Sequence, residues 1–320
     1  MTPARIVTLT MNPALDITTT VEQIHPTSKI RCGDARYDPG GGGINVARVA
    51  HVLGASVSAV FPVGGATGGR IARLVEDAGV PYRNTEISEP TRENFTVNER
   101  RSGEQYRFVL PGPHVTLREQ SRCLDELRLA AAKAEYVVAS GSLPPDVAPD
   151  FYQRVADLCR ELGALLILDA SGAALTSITS GVFLLKPSLR ELRECVGHEL
   201  HDEAEQLAAA HELIDRGVTQ AVVVSLGSQG AFLATAEHSQ HFPAIPVRSV
   251  VSSVGAGDAM VAAITVGLSW CWPLSEAVRF GVAAGTAMLM TPGTEVPARA
   301  DVDRFLGMAA QPTDFESVCD

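Results

Sequence analysis

The chain carries no run of lysine and arginine that could follow a phosphate backbone, and its formal net charge is −11, so nucleic acid is not an expected partner. No segment reaches the ~18 consecutive apolar residues that a membrane helix needs, which argues against a membrane partner. Met1-Thr2-Pro3-Ala4-Arg5-Ile6 heads straight into a strand without the apolar stretch of a signal peptide, and the expected location is the cytoplasm. Cys32, Cys123, Cys159, Cys195, Cys271 and Cys319 are scattered, with no CxxC among them. Such spacing predicts reduced, mostly buried thiols rather than a disulfide framework. Internal repeats and low-complexity segments are also lacking.

Three familiar chemistries lack their residues as well. No GxSxG elbow is present for a serine nucleophile. Gly64-Gly65-Ala66-Thr67-Gly68-Gly69-Arg70-Ile71 approaches a Walker A loop, but Arg70 and Ile71 stand where Lys and Ser/Thr are required, so a glycine-rich turn before a helix is the better reading. His198 and His201 have neither the HExxH pattern nor a third ligand nearby, and read as a surface turn.

What the chain does have is a balance of 46% hydrophobic and 20% charged residues over 320 positions, ordinary for a globular protein. Length alone suggests about two domains, with one large α/β domain carrying an insertion as the competing reading. Arg5–Thr10, Val57–Val63, Tyr136–Ser140, Leu165–Asp169, Val182–Leu185 and Ala221–Leu226 read as buried strands. Helical patterns lie at about Val46–Leu53, Gly68–Ala78, Leu117–Ala134, Pro149–Leu162, Glu203–Arg216, Gly257–Leu268 and Leu274–Met290. Alternating strands and helices predict a parallel sheet covered on both faces, with ligands beyond the carboxyl ends of its strands. Asp16, Ser140, Asp169, Lys186, Ser225 and Gly255–Asp258 all fall at such ends. Ile17–Tyr37 and the hairpin Thr91–Leu110 instead alternate polar and apolar residues and are expected to pair into a small separate sheet. The tail 311–320 is expected to be loose.

Two stretches carry chemistry. Val254-Gly255-Ala256-Gly257-Asp258 opens an apolar helix whose first N–H groups have no intrahelical partner and whose dipole is positive there, an anion hole with a carboxylate beside it. Phosphoryl transfer needs both parts, although Asp is also a preferred helix cap and the pentapeptide alone leaves the two open. Gly40, Gly41, Gly42 and Gly43, followed by Asn45, form a loop without side chains that lets backbone N–H groups and an amide approach a small polar ligand.

Together, Gly41-Gly42-Gly43-Ile44-Asn45-Val46-Ala47 and Ser252-Ser253-Val254-Gly255-Ala256-Gly257-Asp258 resemble the two signatures of the PfkB (ribokinase-like) carbohydrate kinases, over nearly the whole chain in order and spacing. Thr8–Asp16, Pro39–Arg48, Ser102–Val109, Ser140–Pro145 and Val223–Gly230 narrow the resemblance to the bacterial PfkB-type 6-phosphofructokinases. It implies an α/β fold, a ribokinase-like three-layer α/β/α sandwich with a mainly parallel central sheet and a small β-sheet lid. The expected organisation is one domain, 1–320, with the lid formed by about 17–38 and 92–110.

The resemblance also implies roles. Asp258 would take the proton from the sugar hydroxyl, and Gly255, Ala256 and Gly257 would form the anion hole. Asp16, Gly40–Gly43, Asn45 and Ser140 would hold the sugar, and Lys29, Arg92 and Arg107 the phosphate already on it. Lys186, Ser188, Ser225, Gly227, Gly230, Gly257 and Gly285 would contact ATP, and Glu191 would help hold magnesium (Mg2+) through water. The partners implied are a small-molecule sugar phosphate and ATP, with a homodimer made through the lid. Planar arginine suits bidentate phosphate contact, and a helix N-terminus is expected to keep Asp258 ionised at neutral pH. Two departures stand out. Ser188 occupies a position where relatives commonly have Asn, which puts its nucleotide contact in question. Ser252-Ser253 replaces Asp-Thr, so potassium (K+) dependence, through this segment and Ala287–Thr294, stays open. Glu295 receives no role. The implied activity is ATP-dependent phosphorylation of D-fructose 6-phosphate at its 1-hydroxyl, a glycolytic step. The alternatives are 1-phosphofructokinase, tagatose-6-phosphate kinase and, more remotely, a non-catalytic sugar-phosphate-binding regulator.

Overall fold

The computed structural model describes residues 5–315. β1 (Ile6–Leu9) is followed by β2 (Ala14–Val21), β3 (Arg36–Gly40), α1 (Gly42–Val52), β4 (Val57–Val63), α2 (Gly65–Asp77) and β5 (Tyr82–Glu86). A hairpin of β6 (Arg92–Glu99) and β7 (Gln105–Val109) precedes α3 (Leu117–Ala131), β8 (Tyr136–Ser140), α4 (Phe151–Leu162), β9 (Leu165–Asp169), α5 (Ala173–Thr176) and β10 (Val182–Leu185). Then come α6 (Leu189–Val196), α7 (Glu203–Asp215), β11 (Thr219–Ser225), β12 (Ala231–Thr235), β13 (Ser239–Phe242), α8 (Ala256–Ser269), α9 (Leu274–Met288), α10 (Arg299–Met308) and β14 (Thr313–Asp314).

The main sheet has the order β14-β13-β12-β11-β10-β9-β8-β1-β4-β5, parallel from β11 to β5 and antiparallel beyond β11. Successive strand residues feed opposite cores. Ile6, Val138, Ile167, Leu184 and Val223 pack under α1, α2, α8, α9 and α10. Val7, Val137, Leu166, Leu185 and Val222 pack under α3, α4, α6 and α7. Chain order reverses between β1 and β8, the position at which α/β sheets open a crevice at their carboxyl ends. α8 is buried continuously over Ala259–Ser269, which its small residues permit. A Cβ on Gly281 of α9 would lie 2.6 Å from the Ile264 Cγ1, so the two helices pack nearly backbone to backbone.

A second sheet, β3-β2-β6-β7, stands apart: β2 pairs antiparallel with β3 and parallel with β6, and β6 pairs antiparallel with β7. The pairing expected for the two alternating stretches is therefore present, though not throughout 17–38. Residues 22–35 form no strand, and this excursion contains Pro26, which lacks an N–H, and Thr27 at φ 63°. Asp16 belongs to β2 of this sheet, not to an end of the main one.

Other boundaries shift for physical reasons. α1 starts at Gly42, inside the glycine tract, four residues before its apolar pattern begins. β5, α5, α6, α10 and the antiparallel β12 and β13 fall in stretches with no predicted element. The expected loose tail is partly ordered: Thr313–Asp314 pair with β13, and the Phe315 ring meets Phe232 edge-on at 6.2 Å. Residues 316–320, Cys319 included, and Met1–Ala4 lie outside the described residues. Of the five described thiols, Cys123 and Cys159 are buried, Cys195 is half-buried, and Cys32 and Cys271 are exposed, so burial is less general than the composition suggests. Among the described residues no helix is long and apolar enough to cross a membrane.

Candidate active site

α8 begins behind Gly255, whose φ of 78° is the left-handed conformation that glycine adopts without a Cβ penalty. Gly255 is the N-cap, so the N–H groups of Ala256, Gly257 and Asp258 open the helix without intrahelical acceptors. Asp258 stands in the first turn and does not cap it. Its carboxylate is held from two other elements: Asn45 Nδ2 of α1 donates to Oδ2 at 2.9 Å, and Ser140 Oγ at the end of β8 donates to Oδ1 at 3.3 Å.

The glycine tract makes this convergence possible. A Cβ on Gly42 would fall 2.1 Å from Ser140 Oγ, and one on Gly43 would fall 2.4 Å from the Leu9 carbonyl oxygen. α1 therefore drives its N-terminus against the ends of β1 and β8, where Thr10 Oγ1 accepts from the Ile44 N–H at 2.8 Å. Gly41, at φ 117°, makes the turn. Gly40 ends β3 beneath Asp16: a Cβ there would be 2.1 Å from Asp16 Oδ2. Asp16 Oδ1 accepts from Asn94 Nδ2 at 2.9 Å.

The electrostatics differ from expectation. Burial pushes the Asp258 pKa up to about 7, and the neighbouring Asp169 adds to the rise, against the Asn45 hydrogen bond, Lys186 and Ser140. The helix terminus does not hold this carboxyl fully ionised at neutral pH, because desolvation in the cleft dominates. Such a value suits a proton acceptor, which works best near the ambient pH. Lys186, buried after β10, pairs with Asp169 at 3.3 Å, and its ammonium lies 3.6 Å from where a Gly257 Cβ would be. Asp169 is raised by burial, with Lys186 opposing. Asp16 is raised by burial, with Asn94, Arg107 and Arg92 opposing.

The expected phosphate cations are less uniform. Arg92 donates to the Leu110 carbonyl at 2.7 Å and to the Asn12 carbonyl at 2.8 Å, and its buried Nε has no partner. Arg107 is exposed on β7 and lines the same narrow cleft as Asp16. Lys29 sits exposed in the irregular 22–35 excursion and is not among the residues lining the cleft of Asp16 and Arg107.

On the other side of the α8 N-terminus lies a cavity of about 260 Å³ walled by Ser225, Gly227, Gly230, Ala256, Gly257 and Gly285, with Met260 and Leu289 among its apolar residues. Gly230 cannot carry a side chain, since its Cβ would meet the Phe242 carbonyl oxygen at 2.0 Å. Ser188 is not itself a wall residue but forms a parallel β-bridge with Ser225, which is, and with Glu191 it forms a capping box on α6. Ser188 Oγ accepts from the Glu191 N–H at 3.3 Å, and Glu191 Oε2 accepts from the Ser188 N–H and Oγ, both at 2.8 Å.

The profile of the pfkB family carbohydrate kinases matches residues 9–301. The chain belongs to that family. It is 66% identical over 310 residues to the ATP-dependent 6-phosphofructokinase isozyme 2 of Mycobacterium tuberculosis, covering 97% of this chain and 91% of the relative. It is 32% identical to the 1-phosphofructokinase of Bacillus subtilis, covering 91% and 95%. Phosphofructokinase-2 from Escherichia coli, solved in complex with potassium, superposes with a TM-score of 0.90 at 40% identity, covering 95% of this chain and 98% of that one. That protein has also been solved in a tetrameric inhibited form, with a TM-score of 0.88 at 39% identity over 95% and 98%.

This carbohydrate kinase is thus a phosphotransferase acting on an alcohol group, and its architecture is the ribokinase-like α/β fold with a small separate sheet. Several residues at the site escape a sequence reading. Thr10 and Asn12 sit in a stretch that reads as a strand and its breaker, although Asn12 Nδ2 reaches the Pro111 carbonyl at 3.1 Å. Asn94 reads as a solvated strand residue. Glu295 acquires a partner: it pairs with Arg36, which also holds Asp38 at 2.9 Å. Buried Arg48 donates to the Thr294 carbonyl at 3.0 Å, tying α1 to that same loop. Only Gly281, one helical turn before Gly285, carried a legible signal of close helix packing.

Proposed function

We propose that this kinase is an ATP-dependent 6-phosphofructokinase that transfers the γ-phosphoryl group of ATP to the 1-hydroxyl of D-fructose 6-phosphate, giving the 1,6-bisphosphate. The observation that carries the reading is the Asp258 carboxylate in the first turn of α8, oriented by Asn45 and Ser140 beside unpaired helix N–H groups. Asp258 would take the hydroxyl proton as the oxygen attacks phosphorus, while Gly255–Gly257 stabilise the charge moving to the phosphoryl oxygens. A regulator that only binds sugar phosphate has no use for a carboxylate tuned to about 7 at such a terminus. The 66% identity to a named 6-phosphofructokinase favours this sugar, and the 32% identity to a named 1-phosphofructokinase keeps that activity as the second reading.

The small sheet would act as the lid, within a single domain. Asp16, the Gly40–Gly43 tract, Asn45 and Ser140 would seat the sugar, and Arg92 and Arg107 would meet its phosphate. Lys29 would have to swing in with the 22–35 excursion. The 260 Å³ cavity has the apolar walls and size suited to a nucleoside, and Lys186 stands near enough to the α8 terminus to reach ATP phosphates.

Magnesium, when bound, neutralises the charge on those phosphates. Glu191 Oε2 is held by Ser188, while Oε1, 3.8 Å from the exposed Arg190 guanidinium, is the hard donor that would fit magnesium through water. The Val251 and Ser252 N–H groups both donate to the Leu289 carbonyl, which lays the 251–252 segment against the 287–294 loop. A potassium site there would rest on neutral oxygens, since serines replace the acidic residue. Four apolar residues at the lid, Phe95, Phe108, Val109 and Leu110, are 40–58% exposed, which supports self-association through the lid as a homodimer in the cytoplasm, where the step would serve glycolysis.

ADP release measured against fructose 6-phosphate, fructose 1-phosphate, tagatose 6-phosphate, fructose and ribose tests the reading. The highest kcat/KM is expected for fructose 6-phosphate, and turnover no faster than with free fructose or ribose would sink it. Replacing potassium with sodium in the same assay reports on the cation.

A further inference from the structure

The lid strands place an amide directly against the carboxylate assigned to the sugar. Asp16 and Asn94 are register partners across β2 and β6. Asn94 Nδ2 donates to Asp16 Oδ1 at 2.9 Å, and Asn94 Oδ1 accepts from the Leu110 N–H at 3.2 Å. The second contact sets the first: an oxygen must face the backbone N–H, so the NH₂ end must face the carboxylate, and the amide has no reason to flip. Asp16 Oδ2 meanwhile stays over Gly40.

We propose that Asn94 is a positioning residue for Asp16, keeping its carboxylate an oriented acceptor for sugar hydroxyls while the surrounding arginines are engaged by the substrate's phosphate. This rests on the reading of Asp16 as a sugar ligand. The charges around Asp16 are Arg92 on β6, Arg107 on β7, Asp38 on β3 and Arg48 on α1; from α2, Arg70 is stacked 3.5 Å above the Tyr37 ring. Arg92 and Arg107 favour the ionised carboxylate, but they are also the groups that would receive a dianionic phosphate. Once phosphate is bound, their field at Asp16 is largely cancelled. A neutral donor is unaffected, because it has no charge to be neutralised. Burial works against ionised Asp16 throughout, so the amide is the contact that persists at the moment the sugar must be gripped.

Two substitutions in the full chain should give pH profiles of opposite slope. Asn94→Ala removes the donor, so Asp16 takes up a proton more readily. KM for the sugar phosphate should rise on the order of 10- to 100-fold, the usual size of a hydrogen bond to a charged group, with the defect shrinking as pH rises. Asn94→Asp keeps an acceptor for the Leu110 N–H but sets carboxyl against carboxyl. At low pH the two share a proton; at higher pH both ionise, and the defect should deepen. KM for ATP should change little in either variant. Equal, pH-independent losses in both, an unchanged sugar-phosphate KM, or an equal rise in the KM for ATP would overturn the assignment. If Asn94→Ala fails to fold, the slope seen with Asn94→Asp decides alone. Both variants are compared with wild type on whichever sugar phosphate wild type turns over best. A different preferred sugar then overturns the functional reading, while the role of Asn94 stands or falls on the KM outcomes just named.

Discussion

At the scale of single residues, Asp258 as the proposed base combines two demands that pull apart. A base needs a lone pair, and a cleft that excludes water penalises the charge that comes with it. With its pKa raised from 3.8 to about 7, the folded chain binds this proton more tightly than the unfolded chain does. Its contribution to stability is therefore complete below the unfolded value, declines as pH rises between the two, and is gone above about 7. Asp258→Asn removes the charge without removing the shape. The ligand-free variant should match wild type in thermal stability only below the unfolded value of 3.8, and should exceed it increasingly as pH rises to about 7, levelling off above that at a gain on the order of a few kcal/mol at most. Turnover should fall by about 10²–10⁴-fold, the usual worth of a positioned base. A variant no more stable than wild type at alkaline pH would show that the buried charge costs little. In wild type, kcat/KM should climb with pH through about 7 as this carboxyl ionises, and the climb should vanish in Asp258→Asn.

At the scale of elements, α1 shows what the glycines do. Glycine is a poor helix former, yet Gly42 and Gly43 lie inside α1 because only a bare backbone fits against Ser140 and Leu9. Gly42→Ala should displace Ser140, loosen its hold on Asp258, and lower kcat more than it raises the KM for ATP. A change confined to stability would instead reduce Gly42 to packing. The same helix marks the boundary of what could be read beforehand. β4, β8 and β9 were legible to the residue because apolar runs buried on both faces leave little ambiguity. The start of α1 was not, because local preference points away from helix and tertiary fit overrides it. β12 and β13 were missed where the sheet turns antiparallel at its edge. Asp258, Asn45 and Ser140 converge as their positions at strand and helix ends imply. Lys29 does not, because residues 22–35 leave the ladder, and Asn94 was hidden by a composition that reads as solvated surface.

At the scale of the whole molecule, the small sheet presents Phe108 at 55% and Val109 at 58% exposure on a chain of net charge −11. Two such acidic chains meet only if apolar contact outweighs their repulsion, so association should strengthen with salt. Phe108→Glu should shift light-scattering mass from dimer toward monomer and weaken sugar-phosphate binding if the paired lids brace one another. A wild-type chain that is monomeric at all concentrations would remove this surface from consideration, and a tetramer would call for a second one.

The pairing of β2 with β6 has a further consequence. Asp16 and Asn94 are separated by 78 residues, with the whole β4–α2–β5 unit between them. During synthesis β2 emerges and must wait, one edge unpaired, until that unit and the hairpin behind it are complete. Closing that span costs chain entropy before any contact repays it, so the β2–β6 pairing should follow the more local β2–β3 and β6–β7 pairings. Local opening of the small sheet should therefore begin at the β2–β6 seam, seen as faster amide exchange there than at the interior strands β8 and β9. If the small sheet closes over a sugar as proposed, it would move as one paired unit whose parallel join, β2 to β6, is also the one made across the greatest length of chain within it.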